Sequence, residues 1–316
     1  MTEAVKASVL IPTHNRCDLL LKTLASLERQ TVPPTRYEVV ICIDGYGDTA
    51  AEAIELLDPS FTLRSIVQKN SGIAAARNRA ARIAEHQILV FLDDDQLACP
   101  EFLEAHLDVH ARGREVLVQG PYPLADGFDR RGASLIYDES LLRVMRSIGS
   151  SDTTSWHLWG NNFSVRATTW EKVGGFDETF RAYGGEDTDF GLRLTAMGIP
   201  FVYEPRAVTR HMHHVTQASF RRQSFSSGRA VVDLARKHNL RVAEFSGISA
   251  ERMPDRLCFA GWRRAPWLME VAGRVFSTGL ALADVVRVKQ AQLAFARAVR
   301  RLYRLGGIAL ESARVT

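Results

Sequence analysis

The chain has 316 residues, 46% of them apolar, which is enough for one large domain or for a domain with an appendage. Its formal charge of +4 is uneven, because residues 251–316 hold twelve Lys and Arg against five Asp and Glu. No charged-then-apolar leader and no uncharged apolar stretch of roughly eighteen residues occurs, so we expect neither secretion nor a membrane span. The four cysteines lack metal-site or redox-pair spacing, and we expect reduced thiols in a cytoplasmic protein.

Residues 1–120 alternate between two hydrophobic periods. Apolar, β-branched runs predict buried strands at ASVLIP, YEVVICID, FTLRSIV and QILVFLD, and helical periodicity lies between them, as in Leu20, Leu24 and Leu27. This alternation predicts an α/β fold with a parallel sheet. Ligands of such sheets bind beyond the carboxyl ends of the strands, so the polar residues after each strand are the first candidates for a site.

The rest of the chain becomes progressively helical. Residues 121–155 combine turn formers with an amphipathic piece, which favours a mobile connection or lid. A strand is predicted at NNFSVRA, a helix near Glu186, short apolar runs at IPFVYEP and AVTRHMHH, and a long helix from Thr216 to about His238. From Pro254 onward the pattern is helical to the end. Its apolar stripe comprises Val288, Phe295, Val299 and Leu302.

Three consecutive aspartates, Asp93 to Asp95, follow the strand QILVFL. Carboxylates this close repel and raise one another's pKa values unless a cation lies among them. Two of them, one residue apart, can converge on Mg²⁺ or Mn²⁺, which take carboxylate oxygens from the protein and the rest from phosphates and water. The triplet indicates a metal–diphosphate site. A helix N-cap is the structural alternative, although one aspartate suffices for a cap.

The chain carries, in this order, the motifs VLIPTHNR, VVICIDGYGD, NSGIAAARNRA, FLDDDQ, GNNFSVRATTWEKVGGFDETF, YGGEDTDFGLRL and AVTRH. Over about residues 7–215 this series resembles the GT-A-fold glycosyltransferases of glycosyltransferase family 2. The resemblance implies a GT-A fold, which is a Rossmann-like α/β fold with a mostly parallel central sheet and flanking helices. We expect a catalytic domain at 1–215, with nucleotide-sugar binding in about 1–120 and the acceptor and catalytic part in about 156–215. A helical C-terminal extension would occupy 216–316.

The resemblance also implies which residues bind the donor. The nucleotide-sugar-binding set is Pro12, Thr13, Asn15, Arg16, Asp44, Arg77, Asp93 and Asp94. A carboxylate at Asp44 suits the imide N–H of uracil or thymine, which favours UDP or dTDP. The chain nevertheless has IDGYGD where the family usually has an acid pair and a serine. Arg77 would offset the charge of the aspartates, or else be a solvated helix arginine.

The metal and acceptor residues are predicted partly from residue chemistry, and the resemblance adds the histidine that completes the metal shell. The metal ligands would be Asp93, Asp95 and His211, with His213 a close second, and they would hold Mn²⁺ or Mg²⁺. The acceptor-side residues would be Trp159, Gly160, Asn161 and Gly185. Aromatic faces stack on sugar rings and amides bond hydroxyls, although Trp156 and Trp159 are equally suited to a core.

The second acidic motif, GGEDTDF, is where we expect the reaction. Attack of an acceptor hydroxyl on an anomeric carbon needs a base. The resemblance assigns that role to Asp187, with Glu186 binding the acceptor or positioning the base. Acids that complement a helix dipole in its first turn are the structural alternative, and Asp189 fits that description better.

These implications predict a metal-dependent, inverting glycosyltransferase that moves a sugar from a nucleotide-diphosphate sugar to a glycan, lipid-linked or small-molecule acceptor. The alternatives are a non-catalytic nucleotide-sugar-binding or assembly protein, a retaining GT-A enzyme, and a nucleotidyltransferase. No nucleic-acid partner is expected. The basic C-terminal helices would pack on the catalytic domain, form a homo-oligomer, or lie on an anionic membrane at its inner face.

Overall fold

The computed structural model describes residues 5–128, 130–148, 158, 160, 162–180, 183–212, 214–246 and 253–314. Within them the strands are Ala7–Thr13 (β1), Tyr37–Asp44 (β2), Thr62–Gln68 (β3), Ile88–Leu92 (β4), Gln96–Ala98 (β5), Leu117–Gln119 (β6), Asn162–Arg166 (β7), Phe201–Tyr203 (β8) and Thr209–His211 (β9). The helices are Cys17–Leu27 (α1), Ala50–Glu55 (α2), Ile73–Ile83 (α3), Phe102–Ala111 (α4), Gly132–Ile148 (α5), Ala167–Val173 (α6), Glu186–Ala196 (α7), Gln217–Lys237 (α8), Val242–Ser246 (α9), Met253–Arg264 (α10), Pro266–Val286 (α11) and Lys289–Ala313 (α12).

The central sheet has seven strands in the order β3-β2-β1-β4-β7-β6-β8. Strands β3, β2, β1 and β4 run parallel, β7 is antiparallel to both β4 and β6, and β8 is parallel to β6. Strands β5 and β9 form a separate antiparallel pair. The predicted α/β fold, with a mostly parallel central sheet, flanking helices and a helical C-terminal region, is confirmed.

Burial of both faces explains why the central strands are apolar throughout. In β1, Val9 and Ile11 join one buried cluster while Leu10 joins the other. In β4, Val90 and Phe91 divide in the same way. Successive side chains of a strand point to opposite faces, so a strand covered on both sides needs an unbroken apolar run. These runs are the ones that the sequence predicted.

Three elements differ from the sequence prediction. Strand β3 is only partly buried, because it lies at the edge of the sheet and pairs with β2 alone. Residues 121–155 were predicted to be a mobile connection or lid, but Gly132–Ile148 form the seventeen-residue helix α5. Val288 is 48% exposed because it precedes α12 as its N-cap, so it does not share the buried face of Val299 and Leu302.

The chain divides into two compact units, residues 1–128, 141–181 and 186–213, and residues 129–140, 182–185 and 214–316. The first unit contains both sheets. The second is helical, and Phe220, Trp262, Leu280, Val299 and Tyr303 lie in its core. Of the helices in the described part of the chain, none combines the length and apolar character needed to cross a bilayer.

Candidate functional site

The three aspartates occupy the turn between β4 and β5, where strand β5 follows them directly. No helix begins until Phe102, so in this fully described stretch the aspartates do not cap a helix. Asp94 accepts hydrogen bonds from Thr13 Oγ1 at 2.7 Å and from Arg16 Nη1 at 3.2 Å. Asp95 Oδ2 accepts from the same Arg16 nitrogen at 3.0 Å. A cationic side chain therefore lies where the like charges meet.

Burial dominates the electrostatics of this turn. It raises the pKa of Asp94 to about 7, Asp95 adds to the rise, and Arg16 and Thr13 oppose it. Burial likewise raises the pKa of Asp93. Burial alone would lower the pKa of Arg16, but Asp94 and Asp95 raise it overall. The turn consequently favours an additional positive charge near its carboxylates.

The end of β1 forms the next part of the site. Pro12 and Thr13 are buried, and Asn15 has a φ of 53°, in the left-handed region that asparagine tolerates. The backbone N–H of Asn15 donates to the carboxylate of Asp48, and α1 begins two residues later. This turn presents Thr13 and Arg16 to the aspartates.

Asp44 ends β2, and three donors surround its carboxylate. Oδ1 accepts from Gln68 Nε2 and from the backbone N–H of Ser71, and Oδ2 accepts from the backbone N–H of Gly72, each at 2.8 Å. Asp44 thus ties β2 to the loop that precedes α3.

His14 lies within the THNR motif but is not among the predicted site residues. The Nε2 atom of His14 is 3.1 Å from the side-chain amide nitrogens of both Asn15 and Asn70. A Cβ at Gly45 would come within 2.9 Å of His14 Nδ1, so the imidazole packs directly on that glycine. The ring, the two amides and the bare backbone form a polar rim beside Asp44.

Arg77 is the buried cation of the site. Its Nη2 atom donates to Asp93 Oδ1 at 2.8 Å and to the backbone oxygen of Gly160 at 2.9 Å, and its Nη1 atom donates to Glu186 Oε1 at 3.2 Å. Its side chain is 1% exposed, so the interpretation as a solvated helix arginine is wrong. A Cβ at Gly160 would lie 2.6 Å from Arg77 Nη2, which explains why a glycine stands there.

The second acidic motif opens α7. Gly185, with a φ of 106°, precedes it. Asp187 Oδ2 accepts from the backbone N–H of Gly160 at 3.2 Å, and Asp187 Oδ1 accepts from that of Thr188 at 2.7 Å. Burial raises the pKa of Glu186 to about 7, and the negative charge of Asp187 adds to the rise. Burial also raises the pKa of Asp187. Both acids therefore hold a proton more readily than exposed carboxylates do.

His211 reaches the first acidic cluster through the small sheet. It pairs with Gln96 across β5 and β9, and its Nε2 atom lies 3.3 Å from Asp95 Oδ2. Tyr122, which the sequence analysis missed, lies with its ring centroid 6.2 Å from that of His211. Burial raises the pKa of Tyr122 well above its usual value, with Asp187 and Asp93 contributing. The predicted site residues Trp159, Asn161 and His213, together with Trp156, lie outside the described residues.

The donor types near His211 suit a divalent cation. Among the described residues, no three His, Cys, Asp or Glu side chains are grouped as a ready-made metal site. Asp95 and His211 supply a carboxylate oxygen and an imidazole nitrogen, and Asp93 is two residues away. A cation bound through so few protein ligands completes its shell with phosphate oxygens and water. These residues therefore fit a metal held jointly with a phosphorylated ligand.

A buried network of hydrogen bonds links helix α4 to strand β7 and to the segment before β9. Asn162 Nδ2 donates to two backbone carbonyls, in the segments after β6 and before β9, so its Oδ1 accepts from His106 Nε2 at 3.0 Å. Ser164 Oγ lies 2.8 Å from both His106 Nδ1 and His110 Nε2. Burial lowers the pKa of His106 to about 4 and that of His110 to about 3. Both rings are neutral at pH 7. This network of hydrogen bonds holds in place the segment that leads to His211.

The architecture is that of the GT-A class. A mannosyltransferase from Pyrobaculum calidifontis, solved in complex with GDP-Man and Mn²⁺, matches with a TM-score of 0.65 and 19% identity, covering 99% of this chain and 88% of that one. TarS 1–349 of S. aureus in complex with UDP matches with a TM-score of 0.55 and 17% identity, covering 98% and 92%. At these identities the likeness concerns the fold.

The chain belongs to glycosyl transferase family 2, whose sequence profile matches residues 8–183. Validoxylamine A glucosyltransferase of Streptomyces hygroscopicus subsp. limoneus is 34% identical over 227 residues, or 61% of this chain and 48% of the relative. Chondroitin synthase of Escherichia coli is 25% identical over 235 residues, 65% of this chain and 34% of the relative. The chain thus spans about half or less of the length of these two relatives.

Proposed function

We propose that this protein is a metal-dependent, inverting glycosyltransferase, with catalysis in residues 1–215. One observation carries the proposal. A single buried guanidinium, that of Arg77, binds Asp93 at the end of β4 and Glu186 at the start of α7, residues that are far apart in sequence. Gly160 joins the same cluster, since its oxygen accepts from Arg77 and its N–H donates to Asp187. Asp93, which would bind the donor, and Glu186, which would bind the acceptor, therefore share Arg77 as their counter-charge.

The donor would be a nucleotide-diphosphate sugar with a uracil or thymine base. Solved neighbours carry GDP-Man, UDP or UDP-GlcNAc, which supports a nucleotide sugar in general. An ionised carboxylate offers about four acceptor positions, and three donors occupy the carboxylate of Asp44. The remaining position would accept the single imide N–H of the base. Pro12, Thr13, Asn15 and Arg16 would line the same strand ends.

The cation would be Mn²⁺ or Mg²⁺. Asp93, Asp95 and His211 would hold it, with His213 as the alternative histidine. When bound, such an ion supplies Lewis-acid stabilisation to a leaving diphosphate. Asp94 would remain with Thr13 and Arg16 and fix the turn.

The chemical step would be a direct displacement. The Asp187 carboxylate takes the proton of the acceptor hydroxyl, the hydroxyl oxygen bonds to the anomeric carbon, and the bond from that carbon to the diphosphate oxygen breaks. The nucleoside diphosphate leaves with the bonding electrons, and attack from the opposite face inverts the centre. Burial raises the pKa of Asp187, which makes its carboxylate a stronger base. Glu186 and the turn at Gly160 would receive the acceptor.

A donor screen tests the proposal. Purified protein with Mn²⁺ or Mg²⁺ is incubated with UDP-, dTDP- and GDP-sugars, and nucleoside diphosphate release is measured with and without EDTA. We expect metal-dependent release from one donor. Release of pyrophosphate would instead indicate a nucleotidyltransferase, and donor binding without turnover for any acceptor tested would indicate a binding protein.

The variant Asp187→Asn tests the base. Its turnover should fall by about 10²–10⁴-fold while donor affinity is kept. Asp108→Asn is the control, because that carboxylate is 48% exposed and its ion pair is with Arg206, which is 51% exposed. Equal turnover in Asp187→Asn and the wild type would exclude Asp187 as the base.

A further inference from the structure

Helix α11 exposes a continuous apolar face that the helical core of its own unit does not cover. Seven of its apolar side chains are between 49% and 80% exposed, and they are Trp267, Leu268, Val271, Val275, Leu282, Val285 and Val286. At 3.6 residues per turn these positions fall within about a third of the helix circumference. No charged residue lies in that arc, and Thr278 is its only polar residue.

The opposite face of α11 fixes this orientation. Gly273, Ser277, Leu280 and Ala283 are buried. A Cβ at Gly273 would lie 2.4 Å from the hydroxyl oxygen of Tyr303, so the helix packs closely against α12. The exposed arc is thus a fixed surface of the unit. A helix facing water normally carries polar side chains there, and an apolar patch of this extent marks an interaction site.

The charges around the arc favour one kind of partner. Four exposed cations adjoin the arc along the chain, Arg264 before the helix, Arg274 on its flank, and Arg287 and Lys289 after it. Arg263 is also exposed, but its Nε atom donates to the backbone oxygen of Ala309 on α12. The exposed acid of the helix, Glu270, accepts a hydrogen bond from the Tyr303 hydroxyl. A second copy laid along this face would bring like charges together at both ends. An anionic surface would meet complementary charge at both ends of the helix and at Arg274.

We propose that α11 lies flat on an anionic membrane surface, with this arc immersed at the boundary between headgroups and acyl chains. From Trp267 to Val286 the helix is about 28 Å long, which places both basic ends at headgroup level at once. The proposal concerns the second unit and stands independently of the transferase function proposed for the first.

Vesicle flotation of the full chain tests the proposal. One set of vesicles is phosphatidylcholine alone, and the other contains about one-third phosphatidylglycerol. The wild type should float with the anionic vesicles and much less with the neutral ones. Val275→Glu/Val285→Glu should reduce binding by at least about tenfold, because it places two charges in the arc. Arg274→Gln should reduce binding to the anionic vesicles by about fivefold.

Leu56→Glu is the matched control, since Leu56 is an apolar side chain that is 87% exposed on the other unit. It should float like the wild type, and circular dichroism should show that all variants are folded. Equal flotation of the wild type and Val275→Glu/Val285→Glu would overturn the proposal. So would failure of the wild type to float. A dimer seen by light scattering that those two substitutions dissociate would assign the face to a second copy instead.

Discussion

Replacing Arg77 by methionine should destabilise the first unit strongly. Methionine keeps most of the volume but removes the donors to Asp93, Glu186 and the Gly160 oxygen. The side chain of Glu186 is 7% exposed and that of Asp93 is 19% exposed, so water replaces few of the lost hydrogen bonds. The buried carboxylate of Glu186 and the partly buried carboxylate of Asp93 are then left without their counter-charge.

The magnitude follows from the cost of breaking a buried ion pair by removing one partner, which is about 3–5 kcal/mol. Neutralising one of the stranded acids should recover part of that cost. We therefore expect Arg77→Met/Glu186→Gln to be more stable than Arg77→Met by about 1–2 kcal/mol.

Urea denaturation in EDTA, followed by circular dichroism, measures these differences without donor or metal. Arg82→Met is the matched control, because Arg82 is on the same helix and its pair with Glu178 is 55% and 46% exposed. That variant should lose less than about 1 kcal/mol, as exposed pairs do. The reasoning would be refuted if Arg77→Met lowered the free energy of unfolding by less than about 1 kcal/mol. Equal losses in Arg77→Met and Arg82→Met would also refute it.

Three further predictions concern charge and packing. Burial raises the pKa of Glu186 from 4.5 to about 7, so stability present at low pH is lost as the pH rises through this window. Relative to Glu186→Gln, the wild type should lose roughly 1–3 kcal/mol in urea unfolding between pH 5 and pH 8, and parallel pH profiles would contradict this. Gly307→Ala should cost about 1–3 kcal/mol or more, since its Cβ would lie 2.0 Å from the Phe225 oxygen. In the same unfolding assay Gly261→Ala, which meets a flexible methionine, should cost less. Arg16→Gln should tighten Mn²⁺ binding without donor roughly threefold to tenfold by calorimetry, because it removes the cation from Asp95, and unchanged affinity would argue against that competition.

The sequence by itself determined the local elements and the class of the fold. The apolar runs of β1, β2 and β4 are unbroken because both faces of the sheet are covered, and this can be read without knowing what covers them. The helix predicted from Thr216 to about His238 is α8, Gln217–Lys237. The order of short motifs identified the family, and the family profile confirms it. Each of these signals is local, or depends only on order along the chain.

Only the tertiary structure decided which residues meet. The sequence left Arg77 either as a counter-charge to the aspartates or as a solvated helix arginine. Its burial and its contact with Glu186, which is 109 residues away, decide for the counter-charge. The neutral pair His106 and His110 likewise depends on Ser164 of β7. The amphipathic pattern after Pro254 predicted helices, but it did not show that α11 turns an apolar face to solvent. Periodicity records how a helix is built, whereas burial and pKa values depend on neighbours that the sheet and the helix packing bring together from distant parts of the chain.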